Sequence, residues 1–107
     1  MAIRTIEQVK NIVNNYVMLL RNEGLPLEKV ILFGSFSKGN QQNDSDIDIA
    51  VILKKFTEDK FTTRVKLLKL SRKFEEVIEP HPFLEKDFNE TDPFAAEILN
   101  TGLVIYS

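Results

Sequence analysis

The chain contains no cysteine. That removes disulfides and thiolate metal sites, and it leaves the redox compartment unspecified. Long apolar runs are also missing. No stretch approaches the ~20 residues that a membrane span needs. The first ten residues, MAIRTIEQVK, lack the apolar region of a secretory signal. The expectation is a cytoplasmic protein with no membrane association. Nor is there an excess of positive charge. Lys and Arg number 14 against 16 Asp and Glu, for a net charge of −2. A general nucleic-acid binder is usually strongly basic, so direct nucleic-acid binding is not expected. Repeats, low-complexity tracts and internal linkers are absent. What remains is 107 residues, 43% hydrophobic and 28% charged. That is the profile of one domain, residues 1–107, with a single core.

Periodicity sets out the elements. In TIEQVKNIVNNYVMLLRNEG, residues Ile6, Val9, Ile12, Val13, Tyr16, Val17 and Leu20 fall at helical spacing. Thr5 suits the start of this helix and Gly24 its end. KVILF, Lys29 to Phe33, reads as a short buried strand. SDIDIAVIL reads as a second strand. Ile47, Ile49, Val51 and Leu53 share one of its faces; Asp46, Asp48, Ala50 and Ile52 share the other. The second face is acidic first and apolar later, as in a central strand with one end open to solvent. EDKFTTRVKLLKLSRKFEE reads as a second helix with Phe61, Val65, Leu68 and the Leu67–Ser71 region in its apolar stripe. Glu76 to Pro80 reads as a third strand, stopped by Pro-His-Pro. TDPFAAEILNTG reads as a last helix, with Asp92 as cap and Pro93 in the first turn. LVIY closes as an edge strand. The fold class is α/β (α+β), with a small mixed sheet of about four strands and helices packed against it.

The chemistry concentrates in FGSFSKGNQQNDSDIDIAV, Phe33 to Val51. Asp46 and Asp48 are two apart on a strand, so their side chains point the same way, roughly 6–7 Å apart along the backbone. Two like charges held together repel, and a divalent cation removes the conflict. Hard Mg²⁺ prefers carboxylate oxygens, with substrate phosphates completing its shell. Gly34 and Ser35 follow a strand directly. Glycine there lets backbone approach a phosphate closely, and Ser35 can present N–H and hydroxyl to an anion. Lys38 offers a cation, and Gly39 lets the loop turn again. One loop for phosphate and one strand for metal are the two parts needed to bind a metal–nucleoside triphosphate.

Rival motifs fail at the same positions. A calcium loop beginning at Asp44 needs Gly where Ile49 stands and Glu where Lys55 stands. A P-loop needs Gly-Lys-Ser/Thr, which GSFSKGN does not supply, and the dinucleotide glycine pattern is missing. A plain polar turn explains Asp44 and Ser45. It does not explain Asp48, which sits between Ile47 and Ile49.

Gly34-Ser35, ten intervening residues and Asp46-Ile47-Asp48 resemble the signature of the polymerase-beta-like nucleotidyltransferase superfamily. More narrowly, they are similar to the minimal nucleotidyltransferase (MNT) family, and the likeness covers nearly the whole chain. The resemblance implies that Ser35 contacts the triphosphate and that Asp46 and Asp48 ligate Mg²⁺, two ions in all. It implies a third carboxylate on a following strand, for which Glu79 is the candidate where the family more often has Asp. Many relatives carry arginine just after Gly-Ser; Phe36 stands there, leaving Lys38 as the nearby cation. The implied reaction is attack of an acceptor hydroxyl on the α-phosphorus of a nucleoside triphosphate, ATP by preference, with pyrophosphate departing. The chain has the size of a catalytic core alone, so the acceptor is expected to come from a partner or a second subunit. MNT proteins pair with HEPN-domain toxins as antitoxins, in some cases by adding AMP to a toxin tyrosine. That arrangement is the expectation here. The alternative is a module with a vestigial nucleotide site that neutralises its partner by contact alone.

Other residues have plainer readings. His81, the single histidine, reads as a loop residue between two prolines, with a ligand or base beside Glu79 as the lesser alternative. Glu75 and Glu76 read as solvated. Phe83, Phe88 and Phe94 read as core or cover.

Overall fold

Residues 5–34, 46–74 and 78–107 are described by the structure, a computed structural model. Ser35, Phe36, Lys38, Gly39, Asp44, Ser45, Glu75 and Glu76 lie outside the described residues. The first helix, α1 (Ile6–Asn22), begins where Thr5 closes a reciprocal cap. The Thr5 hydroxyl accepts from Gln8 N–H at 3.1 Å, and the Gln8 side chain accepts from Thr5 N–H at 2.8 Å. Two otherwise unpaired donors are thereby satisfied. The chain continues through β1 (Leu27–Phe33), β2 (Ile47–Leu53), α2 (Lys60–Ser71), β3 (Ile78–Leu84), a short 3₁₀ turn (Glu85–Asp87), α3 (Pro93–Thr101) and β4 (Leu103–Tyr106).

The four strands form one sheet in the order β3-β2-β1-β4. β1 runs antiparallel to both β2 and β4, and β2 runs parallel to β3. β2 is therefore central, as its two-sided apolar pattern requires. One face of the sheet carries Val30, Leu32, Ile47, Ile49, Val51 and Leu53, packed with Val13, Tyr16, Leu20 and Leu67 of α1 and α2. The other carries Ile31, Ala50, Ile52 and Phe83 beneath Ile98 of α3. This division fixes the register of β2. A slip of one residue would turn Asp48 into the α1–α2 core and Ile49 out of it. Ile47 and Ile49 are wholly buried, and each is worth about 1.5–3 kcal/mol against exposure, so the slip is strongly disfavoured. The side chains of Asp48, Glu79 and His81 are thus held on the α3 face.

Two expectations need correction. The third strand does not stop at Pro-His-Pro; it runs through it, from Ile78 to Leu84. β3 is an edge strand, where a residue without N–H is tolerated if its nitrogen faces outward. Pro80 and Pro82 have the same parity, so both can turn to the open edge together. They also leave that edge a poor template for another strand. Secondly, Phe61 is not in the apolar stripe of α2. It is 77% exposed, and the buried positions are Thr63, Leu67, Leu70 and Ser71. Asp59 caps the helix by accepting from Thr62 N–H at 2.7 Å, and that start turns Phe61 outward.

Candidate active site

Asp48 is the second residue of β2 and Glu79 the second residue of β3, and the parallel register sets them directly opposite each other. Their shared face also carries His81, which lies opposite Ala50. Ala50 is buried and small, which leaves room above it for the imidazole. Asp48, Glu79 and His81 each offer a ligand atom, and the three atoms lie within 4.8 Å of one another. His81 Nε2 is 3.6 Å from Asp48 Oδ1, too far for a hydrogen bond. Aromatic rings from two elements hold the imidazole. Phe33, at the end of β1, lies 5.3 Å away centre to centre. Phe94, in the first turn of α3, meets it edge-on at 5.8 Å. Phe94 is placed there by the Asp92 cap, whose carboxylate accepts from Phe94 N–H at 2.9 Å. The reading of Phe94 as cover holds, and what it covers is the site.

Gly34 follows β1 immediately and packs against Asp48. Its φ is +78°, and a Cβ built on it would stand 2.6 Å from Asp48 Oδ2. Glycine is required here twice, for a backbone that L side chains rarely adopt and for the space the carboxylate occupies. The sequence suggests close approach of Gly34 to a phosphate; the structure adds close approach to Asp48.

Asp46 sits just before β2 and is exposed. Alternation turns it to the same side as Asp48, but it is not one of the three residues whose ligand atoms cluster. Ser35 and Lys38 lie outside the described residues. His81 is a strand residue of the site, not a loop residue. Parity could have found it, since it lies two residues after Glu79 on the same face.

The donor set suits a divalent cation. Adjacent ligand atoms of one ion at about 2.1 Å stand roughly 3.0–3.4 Å apart, so side-chain movements of about 1 Å would bring Asp48, Glu79 and His81 onto one ion. A separate groove of about 540 Å³ is lined by Lys54, Lys55, Phe56, Leu84, Glu85 and Lys86. It lies at the far ends of β2 and β3, about 20 Å from Asp48 by strand rise, and takes no part in this cluster.

Gly34 seated against Asp48, with Glu79 opposite on the neighbouring strand of a mixed sheet covered by helices on both faces, is an arrangement of the nucleotidyltransferase class. The chain belongs to the family described as Polymerase beta, Nucleotidyltransferase, which matches residues 7–107. It is similar to the protein adenylyltransferase MntA of Shewanella oneidensis, with 49% identity over 39 residues, 36% of this chain and 28% of that protein. The match therefore spans less than a third of the Shewanella protein. It is also 28% identical over 75 residues to MJ1379 of Methanocaldococcus jannaschii, covering 70% of this chain and 71% of that one. Among solved structures, a toxin–antitoxin with AMP-PNP aligns with a TM-score of 0.65 at 24% identity, covering 92% of this chain and 73% of that one. A tri-AMPylated Shewanella oneidensis HEPN toxin in complex with MNT antitoxin contributes a chain that aligns with a TM-score of 0.62 at 21% identity, covering 92% and 72%. The structural likenesses establish the fold.

Proposed function

We propose that this nucleotidyltransferase moves AMP from ATP to a hydroxyl acceptor, a tyrosine of a HEPN-domain partner, and so acts as an antitoxin. The observation that carries the transferase reading is the in-register pair Asp48–Glu79 with Gly34 seated against Asp48. The similarity to a protein adenylyltransferase and to chains from toxin–antitoxin structures supports the choice of acceptor. Asp46, Asp48 and Glu79 would hold Mg²⁺. Bound there, the ion would neutralise phosphate charge and polarise the reacting oxygens. Gly34 gives the triphosphate close access to backbone, and Ser35 and Lys38 bind its oxygens. Glu79 or solvent accepts the proton of the acceptor hydroxyl. A new bond forms from the acceptor oxygen to the α-phosphorus, the bond from that phosphorus to the bridging oxygen breaks, and pyrophosphate leaves. Positioning and charge neutralisation carry most of such a reaction.

A second reading is neutralisation by contact alone. Phe36, at the position where the family resemblance implies arginine in many members, favours it. One experiment separates the two. The chain is mixed with a HEPN-domain partner, labelled ATP and Mg²⁺ or Mn²⁺. The transferase reading expects label on a partner tyrosine, lost in Asp48→Asn and in Asp46→Asn. No label under varied nucleotides and metals, with partner binding intact, leaves contact neutralisation. Label that survives both substitutions together refutes the site.

A further inference from the structure

We infer that His81 is a metal ligand, and that the Asp48–Glu79–His81 cluster takes a first-row transition ion such as Mn²⁺ in preference to Mg²⁺. The inference rests on reading Asp48 and Glu79 as metal-holding carboxylates, and adds to them a nitrogen donor that the acidic motif alone does not supply.

Three observations carry it. First, His81 Nε2 is buried and has no hydrogen-bond partner among the described residues. A buried polar atom left unpaired is costly and calls for a partner. Secondly, that atom faces a carboxylate. It stands 3.6 Å from Asp48 Oδ1, and ligand atoms of Asp48, Glu79 and His81 lie within 4.8 Å of one another. Two ligands on one ion at about 2.1 Å sit roughly 3.0–3.4 Å apart in octahedral or tetrahedral geometry. The gap between His81 and Asp48 is therefore slightly wide of one shared ion and too wide for a direct hydrogen bond. Thirdly, the ring is oriented from outside. Phe33 and Phe94 contact it from β1 and α3, which restricts its rotation away from the acids.

The donor set then decides the ion. Mg²⁺ takes oxygen ligands and dehydrates reluctantly. Imidazole favours first-row transition ions, and carboxylates also accept Mn²⁺. One nitrogen beside two carboxylates shifts preference from Mg²⁺ towards the transition series. Glu79, longer by one methylene than an aspartate, has the reach to share an ion with a ring two residues further along its own strand.

The test uses the fact that His81 is the only histidine in the chain. Tag-free protein labelled with ¹⁵N-histidine is loaded with Mn²⁺, alone and with a non-hydrolysable ATP analogue. Pulsed EPR then reads nuclei bound to the ion. The expected result is a ¹⁵N coupling in labelled protein, replaced by ¹⁴N in unlabelled protein and absent in His81→Gln. In competition, His81→Gln loses at least the roughly 10-fold in Mn²⁺ affinity that removal of an outer-shell partner already costs, and far less in Mg²⁺ affinity. Mn²⁺ bound without histidine coupling in both samples overturns the inference. So does failure to bind Mn²⁺ in either sample, or preference for Mg²⁺ in the unsubstituted protein. The labelling arm needs no variant, so a misfolded substitution does not spare the inference. The result also separates from the AMP-transfer reading. Coupling without transfer refutes that reading alone, and transfer with Mg²⁺ without coupling refutes this one alone.

Discussion

Gly34 and Gly24 form a matched pair that isolates what the site demands of its glycine. Both have positive φ, +78° and +81°. Alanine at either would bear the left-handed backbone penalty of about 1–2 kcal/mol. For a domain of this size that is a fall in Tm of roughly 4–16 °C. The two differ in what a Cβ would meet. At Gly24 nothing lies within 4 Å; at Gly34 Asp48 Oδ2 stands at 2.6 Å. Reaching ordinary contact, 3.4 Å, means a displacement of about 0.8 Å for that oxygen. The oxygen is the tip of a side chain, so it can yield by turning. The collision therefore adds little to the loss of stability and much to the loss of geometry. A misplacement of about 1 Å in a reacting constellation can cost ~10²-fold in rate. Thermal melts should show similar destabilisation for Gly24→Ala and Gly34→Ala. Mn²⁺ titration and AMP transfer, both measured well below the melting range, should fall only for Gly34→Ala, transfer by about tenfold to a hundredfold. If Gly34→Ala melts like Gly24→Ala and keeps full metal binding and transfer, the packing of Gly34 against Asp48 has no functional role. If Gly24→Ala loses transfer equally, general destabilisation explains both.

Two further expectations test the scaffold. The wholly buried Tyr16 donates its hydroxyl to the Leu67 carbonyl at 2.7 Å, tying α1 to α2. Tyr16→Phe should cost about 0.5–1.5 kcal/mol at neutral pH in urea titration. Burial pushes the phenol well above its ordinary value of about 10. The unfolded chain then loses this proton first, so stability is intact below pH ~10 and falls above it, by up to about 1.4 kcal/mol per pH unit. Tyr16→Phe should remove that part of the alkaline slope, and an unchanged slope would refute the assignment. At acid pH the relevant group is Asp59. Hydrogen bonds from the backbone and side chain of Thr62 hold its carboxyl below the usual range. The cap's contribution is therefore present above pH ~4 and lost as pH falls through the lowered value. Asp59→Asn should keep much of the cap at neutral pH and flatten this acid dependence in thermal melts; Asp59→Ala should lower Tm at pH 7 as well.

What was legible in the sequence was whatever a period or a cap specifies locally. The alternation of Ile47, Ile49, Val51 and Leu53 against Asp48, Ala50 and Ile52 placed β2 at the centre and assigned its faces, and both core clusters follow that division. Thr5 and Asp92 marked their helices because a side-chain acceptor for free N–H groups is needed at the start of any helix. The facing of Glu79 on Asp48 was legible only as a condition, that the two share a face. Pairing across a parallel connection depends on how α2 packs, and no local pattern gives that register. Phe61 departs from the helical pattern for a related reason: helical spacing finds a face, but the Asp59 cap decides where the first turn points.

His81 obeys a different rule. Two prolines around one residue look like a loop because each removes a ladder donor. In an edge strand, however, what matters is parity. Pro80 and Pro82 are two apart, so both nitrogens can face the open edge, while Glu79, His81 and Phe83 keep their N–H groups for the side of β2. The same period of two puts the side chains of those three residues on one face, opposite Asp48, Ala50 and Ile52. The feature that makes the prolines tolerable is therefore the feature that delivers Glu79 and His81 to one site. An acid before the first of two alternating prolines, with histidine between them, is a strand that presents an oxygen and a nitrogen donor side by side. β3 is that strand, and it lies in register beside Asp48 of β2.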